Sequence, residues 1–249
     1  MKEKEGFKMN KTIELLSNRR SYRDFDENHV LSQESLQAIL DAARQAPSWM
    51  NGQFYTIIVI RNREIREQLV EWNPGNAHMK KSSVFLLFVG DLHRTKLVSE
   101  TYGSSYQIDD SIEPIILATT DAALALENAV VATESLGLGS VVVGSIRKHG
   151  KEIGELLELP EHMFPLFGLS IGRPIVEMKV KPRLPEAAVI HYDTYHPYSY
   201  SLIEQYDQTM ELFGEARETK RWSQKFSDYF GAESQTLTDQ LLKMQGLLK

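Results

Sequence analysis

The sequence predicts an α/β-type fold in which four buried strands alternate with helices around a central apolar helix. Four short runs rich in β-branched and aromatic residues alternate with helical patterns. The long apolar segment 112–138 contains four acidic residues, which would be costly in a bilayer. We therefore expect this segment to be the buried core helix.

The first half of the chain shows helix and strand signals in turn. A helix is predicted between Ser32, a favourable N-cap, and Pro47, because apolar residues recur at i, i+3, i+4 and i+7. Leu31 is expected to pack on Leu36 as a hydrophobic staple. The pattern then predicts a strand over 56–60, a helix over 64–72 and a buried strand over 83–90.

The second half begins with the core helix, expected over about 115–136 and stopped by Gly137 and Gly139. After it we predict a strand over 140–146, a helix over 151–159 closed by Pro160, and a strand over 164–171. Polar helices follow. Residues 1–8 are expected to be a flexible extension, and residues 9–249 one domain whose C-terminal extension covers about 190–249.

Composition excludes several classes of function. The net charge of −6 and the pI near 5.7, without a basic stripe, argue against nucleic acid as a partner. The absence of cysteine excludes disulfides, thiolate nucleophiles and zinc–thiolate sites. No histidine pair has helical metal-ligand spacing, so no metal is expected. The N-terminus lacks the apolar core of a signal peptide, so we expect a cytoplasmic protein without a membrane partner.

Two basic clusters stand out in this acidic chain. The first, N-R-R-S-Y-R at 18–23, is expected to open the first helical unit, and the second is K-P-R-L-P at 181–185. Arginine suits phosphate because its planar fork makes two parallel charge-assisted hydrogen bonds. Solvated surface charge is the alternative. The candidate phosphate ligands are Arg19, Arg20, Ser21, Arg23, Lys181 and Arg183.

Two further loops are suited to a phosphorylated, planar cofactor. A-P-S-W-M-N-G-Q, at 46–53, offers short polar groups for a ribityl chain or a heterocycle edge. In V-V-G-S-I-R, at 142–147, a glycine lets the backbone approach a ring. The segment G-L-G-S-V-V at 137–142 lacks the third glycine of a dinucleotide fingerprint and precedes a strand, so a classical Rossmann site is not expected. The loop candidates are Ser48, Asn51, Gln53, Gly144, Ser145 and Arg147.

Five motifs in order resemble the nitroreductase family. They are R-R-S-x-R, A-P-S-x-x-N-x-Q, E-S-L-G-L-G, P-L-F-G-L-x-I-G and K-P-R-L-P. Each motif alone is weak, but five in order with compatible spacing are specific. The likeness runs from about Lys11 to Lys249. It is strongest to the branch of NADPH-dependent flavin reductases and oxygen-insensitive nitroreductases.

The resemblance implies an α+β fold with a mixed four- to five-stranded sheet wrapped by helices around the central apolar helix. It also implies a homodimer with one FMN per protomer at the subunit interface, embraced by the C-terminal segments. It implies that Arg23 faces the pyrimidine end of the flavin and stabilises negative charge there, with no other catalytic side chain required. Ser48 and Asn51 would lie along the ring, contributed by the partner chain. The other implied FMN ligands are Arg19, Arg20 and Ser21 at the phosphate and ribityl groups, Val143, Gly144 and Ser145 near N5, and Lys181 and Arg183 closing on the phosphate.

The chain departs from the family pattern at two positions. Trp49 stands where related sequences usually have serine, and it is expected to stack near the flavin, to narrow the substrate cavity, or to fill core or interface. The segment Pro74-Gly75-Asn76 stands where related sequences often have Gly-Gly-Gln. Asn76 would then replace the glutamine's bond to the flavin with a shorter reach.

The resemblance implies ping-pong hydride transfer from NADPH through FMN to nitroaromatics, quinones or free flavin, with NADH as an alternative donor. The basic loop R-E-T-K-R-W at 217–222 corresponds to arginines that meet the 2′-phosphate in branch members; a solvated helix start is the alternative. The candidate nucleotide ligands are Arg147, Arg217, Lys220 and Arg221.

Two hypotheses from other classes compete with an oxidoreductase. The first is a flavin-binding store or redox sensor without significant turnover, favoured if Trp49 blocks the substrate face. The second is a dimeric scaffold whose arginines form interface salt bridges. The sequence does not identify the physiological electron acceptor.

Overall fold

The computed structural model describes residues 9–214, 219–232 and 236–249, with the side chains of residues 236 and 237 outside the description. Backbone packing divides these residues into two compact units. Unit 1 takes in the described residues up to Met178 together with Thr236–Lys249, and unit 2 takes in those of Lys179–Gln235. The C-terminal extension expected over 190–249 is thus divided, because its last helix belongs to unit 1.

Unit 1 is an α+β unit built on four strands, as the sequence predicts. Its strands are β1 (Tyr55–Ile60), β2 (Val84–Asp91), β3 (Gly139–Val143) and β4 (Met163–Gly172). Its helices are α1 (Lys11–Ser17), α2 (Gln33–Arg44), α3 (Arg63–Trp72), α4 (His78–Lys81), α5 (His93–Thr101), α6 (Glu113–Ser135), α7 (Gly150–Leu156) and α10 (Thr236–Met244). Short 3-10 turns cover Trp49–Asn51, Pro74–Asn76 and Gly144–His149.

The strand order is β1-β2-β4-β3, and every pairing among the described strands is antiparallel. The predicted strand count is confirmed, but the mixed pairing is not found in these strands. An apolar run shows that a strand is buried and carries no information about its direction. In β1 and β2 the register runs from Tyr55 opposite Gly90 to Ile60 opposite Phe85.

Strand β2 shows why the sheet reads as continuous apolar runs. Its residues alternate between two cores, with Leu86 and Phe88 on one face and Phe85 and Leu87 on the other. Helices α2, α6 and α10 cover the first face, and α3, α4 and α7 cover the second. A sheet covered on both faces needs apolar side chains at most positions, and its buried polar ones, such as Ser170, need hydrogen-bond partners.

The long helix α6 lies in the first core, which confirms the predicted central helix. Ala118, Ala122 and Ala125 are fully buried, and such small side chains let the helix backbone come close to its neighbours. One face stays open in the single chain, where Ile116 is 48% and Leu124 39% exposed. Among the described helices, α6 alone is long and apolar enough to cross a membrane, a test that a buried core helix also passes.

Several boundaries differ from the sequence-based expectation. Segment 18–23 does not open a helix, because α1 ends at Ser17 and the chain then runs extended. The third strand ends at Val143, where a 3-10 turn replaces its expected last residues. The expected N-cap is confirmed, since Ser32 accepts a hydrogen bond from the Ser35 backbone N–H at 3.1 Å.

Unit 2 contains α8 (Tyr200–Phe213) and α9 (Trp222–Gly231). The Asp207 carboxylate, 2% exposed, accepts hydrogen bonds from the backbone N–H of Ser223 at 3.1 Å and from its hydroxyl at 2.5 Å. The rings of Tyr206 and Trp222 pack edge to face, 5.8 Å apart. These contacts hold the two helices together and fix the start of α9.

Candidate functional site

The cluster N-R-R-S-Y-R, here called the arginine segment, lies beside strand β3. The Tyr22 backbone N–H donates to the Ser140 carbonyl at 2.9 Å. The Tyr22 ring also covers Gly139, where an added Cβ would lie 2.8 Å from ring atoms. Any larger residue at position 139 would therefore displace the ring. The segment owes its position to this contact and to the backbone pairing.

Within the arginine segment, the predicted phosphate ligands lie together. Both terminal nitrogens of Arg19 are 3.5 Å from the Ser21 hydroxyl. Arg20 donates to the Tyr22 hydroxyl at 3.4 Å, and this bond is the main cause that raises the pKa of its guanidinium. The Arg20 Nε is buried without a hydrogen-bond partner among the described residues. Arg19 and Ser21 thus bring one guanidinium and one hydroxyl to the same place, while Arg20 is held by Tyr22.

Glu134, in the last turn of α6, was missed as a site residue. Its carboxylate lies close enough to Arg19 and Arg20 to feel their charge, and the Arg20 backbone N–H also favours its ionised form. Burial raises the pKa of this carboxyl, and the two arginines oppose that rise. Its Oε1 is buried without a partner among the described residues. Glu134 therefore lies beneath the arginine segment and offsets part of its charge.

A series of polar side chains, buried at the sheet and half-buried at the loop, links the sheet to the loop after β3. Asn76 donates through Nδ2 to the Ser145 hydroxyl at 3.0 Å, and its Oδ1 lies 3.2 Å from His78 Nε2. His78 Nδ1 lies 2.9 Å from the Ser170 hydroxyl, and both residues are buried. In this orientation of the Asn76 amide its oxygen can only accept, so His78 Nε2 carries the proton of that contact. Asn76, expected to bond the flavin, here bonds Ser145.

Gly144 follows directly after the buried Val143 at the end of β3. An added Cβ on Gly144 would meet only the Arg147 guanidinium, 3.8 Å away, so the backbone here is open to approach. Strand β3 therefore has the arginine segment beside its first residues and the open Gly144 after its last one. The His78 contact was not foreseen, because a lone histidine in a sequence carries no signal of its neighbours.

The 48–54 loop joins α2 to β1. The Ser48 hydroxyl accepts from the Gln53 backbone N–H at 3.3 Å, and the Gln53 amide donates to the Asn51 carbonyl at 3.2 Å. Trp49 is 51% exposed, with its ring centroid 6.2 Å from that of Phe54. Of the three roles considered for Trp49, filling the core of its own chain is therefore wrong.

Arg147 points into unit 1. Its guanidinium donates to the Leu166 carbonyl at 3.1 Å and lies 5.7 Å from the centroid of the Phe167 ring. It lines a largely apolar cavity of about 320 Å³ that also includes Thr119 and Leu241. Its expected contact with a nucleotide stays a prediction.

The remaining basic candidates lie in unit 2. Arg183 donates through its guanidinium to the Lys181 carbonyl at 2.8 Å, so the two residues are in contact. Lys220 pairs with the Asp228 carboxylate at 2.5 Å, and Arg221 pairs with a glutamate of α8 at 2.7 Å. Arg217 lies outside the described residues. That these side chains meet the arginine segment or a nucleotide stays a prediction.

Comparison with known proteins identifies the relatives of this chain. The family model described as Nitroreductase family matches residues 16–173, and that of its C-terminal domain matches residues 181–249. The FMN reductase (NAD(P)H) of Bacillus subtilis is 37% identical over 245 residues, covering 96% of this chain and 98% of that protein. The oxygen-insensitive NADPH nitroreductase of Salmonella typhimurium is 35% identical over 221 residues, covering 89% and 90%.

The fold has a matching solved structure. The NADPH:FMN oxidoreductase of Vibrio harveyi, solved in complex with NAD⁺, superimposes with a TM-score of 0.87 at 30% identity, covering 96% of this chain and 99% of that one. The predicted family, the fold and the class of enzyme are thereby confirmed.

Replacing Glu134 by glutamine tests the buried carboxylate. Because folding raises its pKa above the ordinary 4.5, the folded state binds the extra proton, and wild-type stability falls as the pH rises through the window above 4.5. Glu134→Gln should therefore be more stable than wild type at pH 8, with the difference closing near pH 4. Thermal unfolding across this range measures it, with the exposed Glu204→Gln as control. Equal curves for Glu134→Gln and wild type at pH 8 would contradict the assignment.

Proposed function

Because the chain belongs to the nitroreductase family, we propose that it is an FMN-dependent NAD(P)H oxidoreductase, which passes reducing equivalents from NADPH to a small oxidised acceptor such as a nitroaromatic, a quinone or free flavin. The observation that carries the proposal is the arrangement around β3. A phosphate-sized set of donors, Arg19 and Ser21, lies beside its start, and an open glycine backbone follows its end. An NADPH-dependent enzyme of this kind suits the cytoplasm.

The donor set fits FMN. The guanidinium of Arg19 and the hydroxyl of Ser21 suit a phosphate monoester, and the buried Arg20 Nε has a hydrogen bond left to give. Gly144 offers backbone to a flat ring without a Cβ in the way. When bound, FMN supplies the two-electron chemistry that no side chain of this chain provides.

We assign the remaining positions by the same logic. Arg23 would place a cation near the pyrimidine end, where it stabilises negative charge. Ser145 would lie at the ring with its hydroxyl held by Asn76. Lys181 and Arg183 would close on the phosphate, and Ser48 and Asn51 would come from the partner chain. No acid–base side chain is needed, because water supplies the protons.

The proposal includes a homodimer. The open face of α6 exposes Ile116 and Leu124, and the 48–54 loop exposes Trp49 and Met50. Apolar surface of this kind on a water-facing chain is typical of an interface. A second copy of the chain would cover these residues and bring the 48–54 loop to the neighbouring flavin.

We expect the purified protein to be yellow and to release FMN, not FAD, on denaturation. NADPH should bleach the colour anaerobically, and a quinone should restore it. Arg19→Ala should weaken FMN binding by about 2–3 kcal/mol, the scale of a lost charged hydrogen bond. Absorbance titration and chromatography of the released cofactor measure these outcomes. A colourless protein would favour the scaffold, and a yellow protein that NADPH does not bleach would favour the flavin store.

We expect a dimer that persists on dilution. Dimers of the obligate class bury more than about 2,000 Å² and persist at micromolar concentration. Light scattering should give twice the 28.4 kDa chain mass. A stable monomer that retains flavin would contradict the shared site, and would require Ser48 and Asn51 to act within their own chain.

We expect NADPH to be preferred over NADH by on the order of 100-fold in kcat/KM, if two cations contact the 2′-phosphate. The preference should shrink with salt, because exposed ion pairs are screened. In the wild type, Lys220 and Arg221 must leave their carboxylate partners before they can contact the 2′-phosphate. Lys220→Ala combined with Arg221→Ala should remove most of the preference for NADPH. Arg63→Ala, which removes an arginine from another surface ion pair, is the control. An unchanged ratio in the double variant would exclude this loop as the 2′-phosphate reader.

A further inference from the structure

The 48–54 loop has a conformation that its own residues do not favour. Met50, Asn51 and Gln53 have φ values of 47°, 59° and 52°, in the left-handed region that favours glycine. Three such residues in one short loop persist only when the surroundings over-determine the backbone. Something outside the loop must therefore hold it.

A single buried carboxylate holds both ends of the loop. Asp121, on α6, is 1% exposed, and its Oδ1 accepts from the Trp49 backbone N–H at 3.0 Å. Its Oδ2 accepts from the Phe54 backbone N–H, also at 3.0 Å. From the exposed side, Arg94 donates to the Gln53 carbonyl at 3.0 Å. The left-handed residues lie between the two amides that Asp121 binds.

The charge of Asp121 is otherwise unexplained. It lies on the buried face of α6, beside Ala118 and Ala122, where a carboxylate is costly unless it is fully hydrogen-bonded. Burial raises the pKa of the nearby Tyr55 hydroxyl, and the charge of Asp121 raises it further. The two backbone amides are thus the partners that make an ionised carboxylate tolerable there.

The bonds constrain the backbone and leave the side chains facing outward. Trp49 is half exposed and Met50 is 81% exposed, so the loop does not gain its shape by burying these side chains. We propose that Asp121 is a positioning residue, which fixes the 48–54 loop so that Ser48, Trp49 and Asn51 are held in place at the flavin and acceptor site. This inference rests on the proposed function, in which that loop borders the site.

Amide hydrogen exchange tests directly whether Asp121 binds the two loop amides. In the wild-type holoprotein, the amides of Trp49 and Phe54 should be protected although their segment lies in a loop. Asp121→Asn keeps the size of the side chain but turns one acceptor into an N–H donor that faces a backbone N–H. Exchange at these two amides should then rise by at least tenfold while β2 stays protected. Free exchange of both amides in the wild type would overturn the proposal without any variant.

Kinetics separate positioning from a general loss of stability. Asp121→Asn should raise the KM for a quinone by about tenfold and should alter the visible circular dichroism of the bound flavin. The control is Asn128→Ala, which removes another polar contact of α6, the bond from Asn128 Nδ2 to the Ala42 carbonyl at 2.9 Å. The control should lower the unfolding temperature and leave both readouts unchanged. Identical shifts in the two variants would reduce Asp121 to a structural residue and overturn the proposal.

A second variant disturbs the loop without touching the buried carboxylate. A Cβ on Gly52 would lie 2.4 Å from the Phe54 ring, so in Gly52→Ala this ring, at the end of the loop that Asp121 binds, must move. This variant should reproduce the rise in KM and the change in flavin signal, and it decides the question if Asp121→Asn does not fold. A normal KM in Gly52→Ala would overturn the proposal. A wild-type protein that binds no flavin would instead refute the proposed function.

Discussion

The close approach of α6 to the sheet is the constraint on which the rest of unit 1 depends. Its buried alanines allow the helix to lie directly against the first core. Two carboxylates on this helix then lie beneath two candidate loops, Asp121 beneath the 48–54 loop and Glu134 beneath the arginine segment. At 1.5 Å per residue they are about 20 Å apart along the axis. One rigid helix thus sets the position of both loops.

The sheet also positions polar side chains at the candidate site. The chain from Ser170 through His78 and Asn76 reaches the Ser145 hydroxyl after β3. Each contact joins a donor to an acceptor, so every side chain in this series is held by its neighbours. Hydroxyl and amide groups next to Gly144 are therefore fixed by the fold before any ligand arrives.

Much of the fold follows from the sequence, because burial on both faces makes each strand a continuous apolar run. The helix over 33–44 was equally readable, since Ser32 caps it and one face is apolar. The directions of the strands could not be predicted, because an apolar run is equally compatible with parallel and antiparallel pairing. Helix α5 was missed, since its start at Leu92 has no side-chain cap and its apolar residues follow no clear period.

The sequence allows candidate site residues to be named, but it does not reveal the buried carboxylates that hold their loops. The arginines and loop residues match family motifs, whereas Asp121 and Glu134 appear in the sequence only as interruptions of an apolar helix. The left-handed backbone of the loop could not be predicted either, since neither Met50 nor Gln53 is a residue type that favours positive φ. Their conformation depends on a partner that is far away in the chain.

The bonds from Asp121 go to backbone N–H groups and ignore which side chains the loop bears. Every amino acid except proline offers such a group, so the half-exposed position 49 is free to change chemically while the path of the chain is kept. Evolution can therefore exchange the exposed Trp49 for other residues and alter the range of accepted molecules without rebuilding the scaffold. The two backbone bonds fix the shape of the loop and leave the side chain at position 49 open to change, an arrangement suited to the acquisition of new substrates.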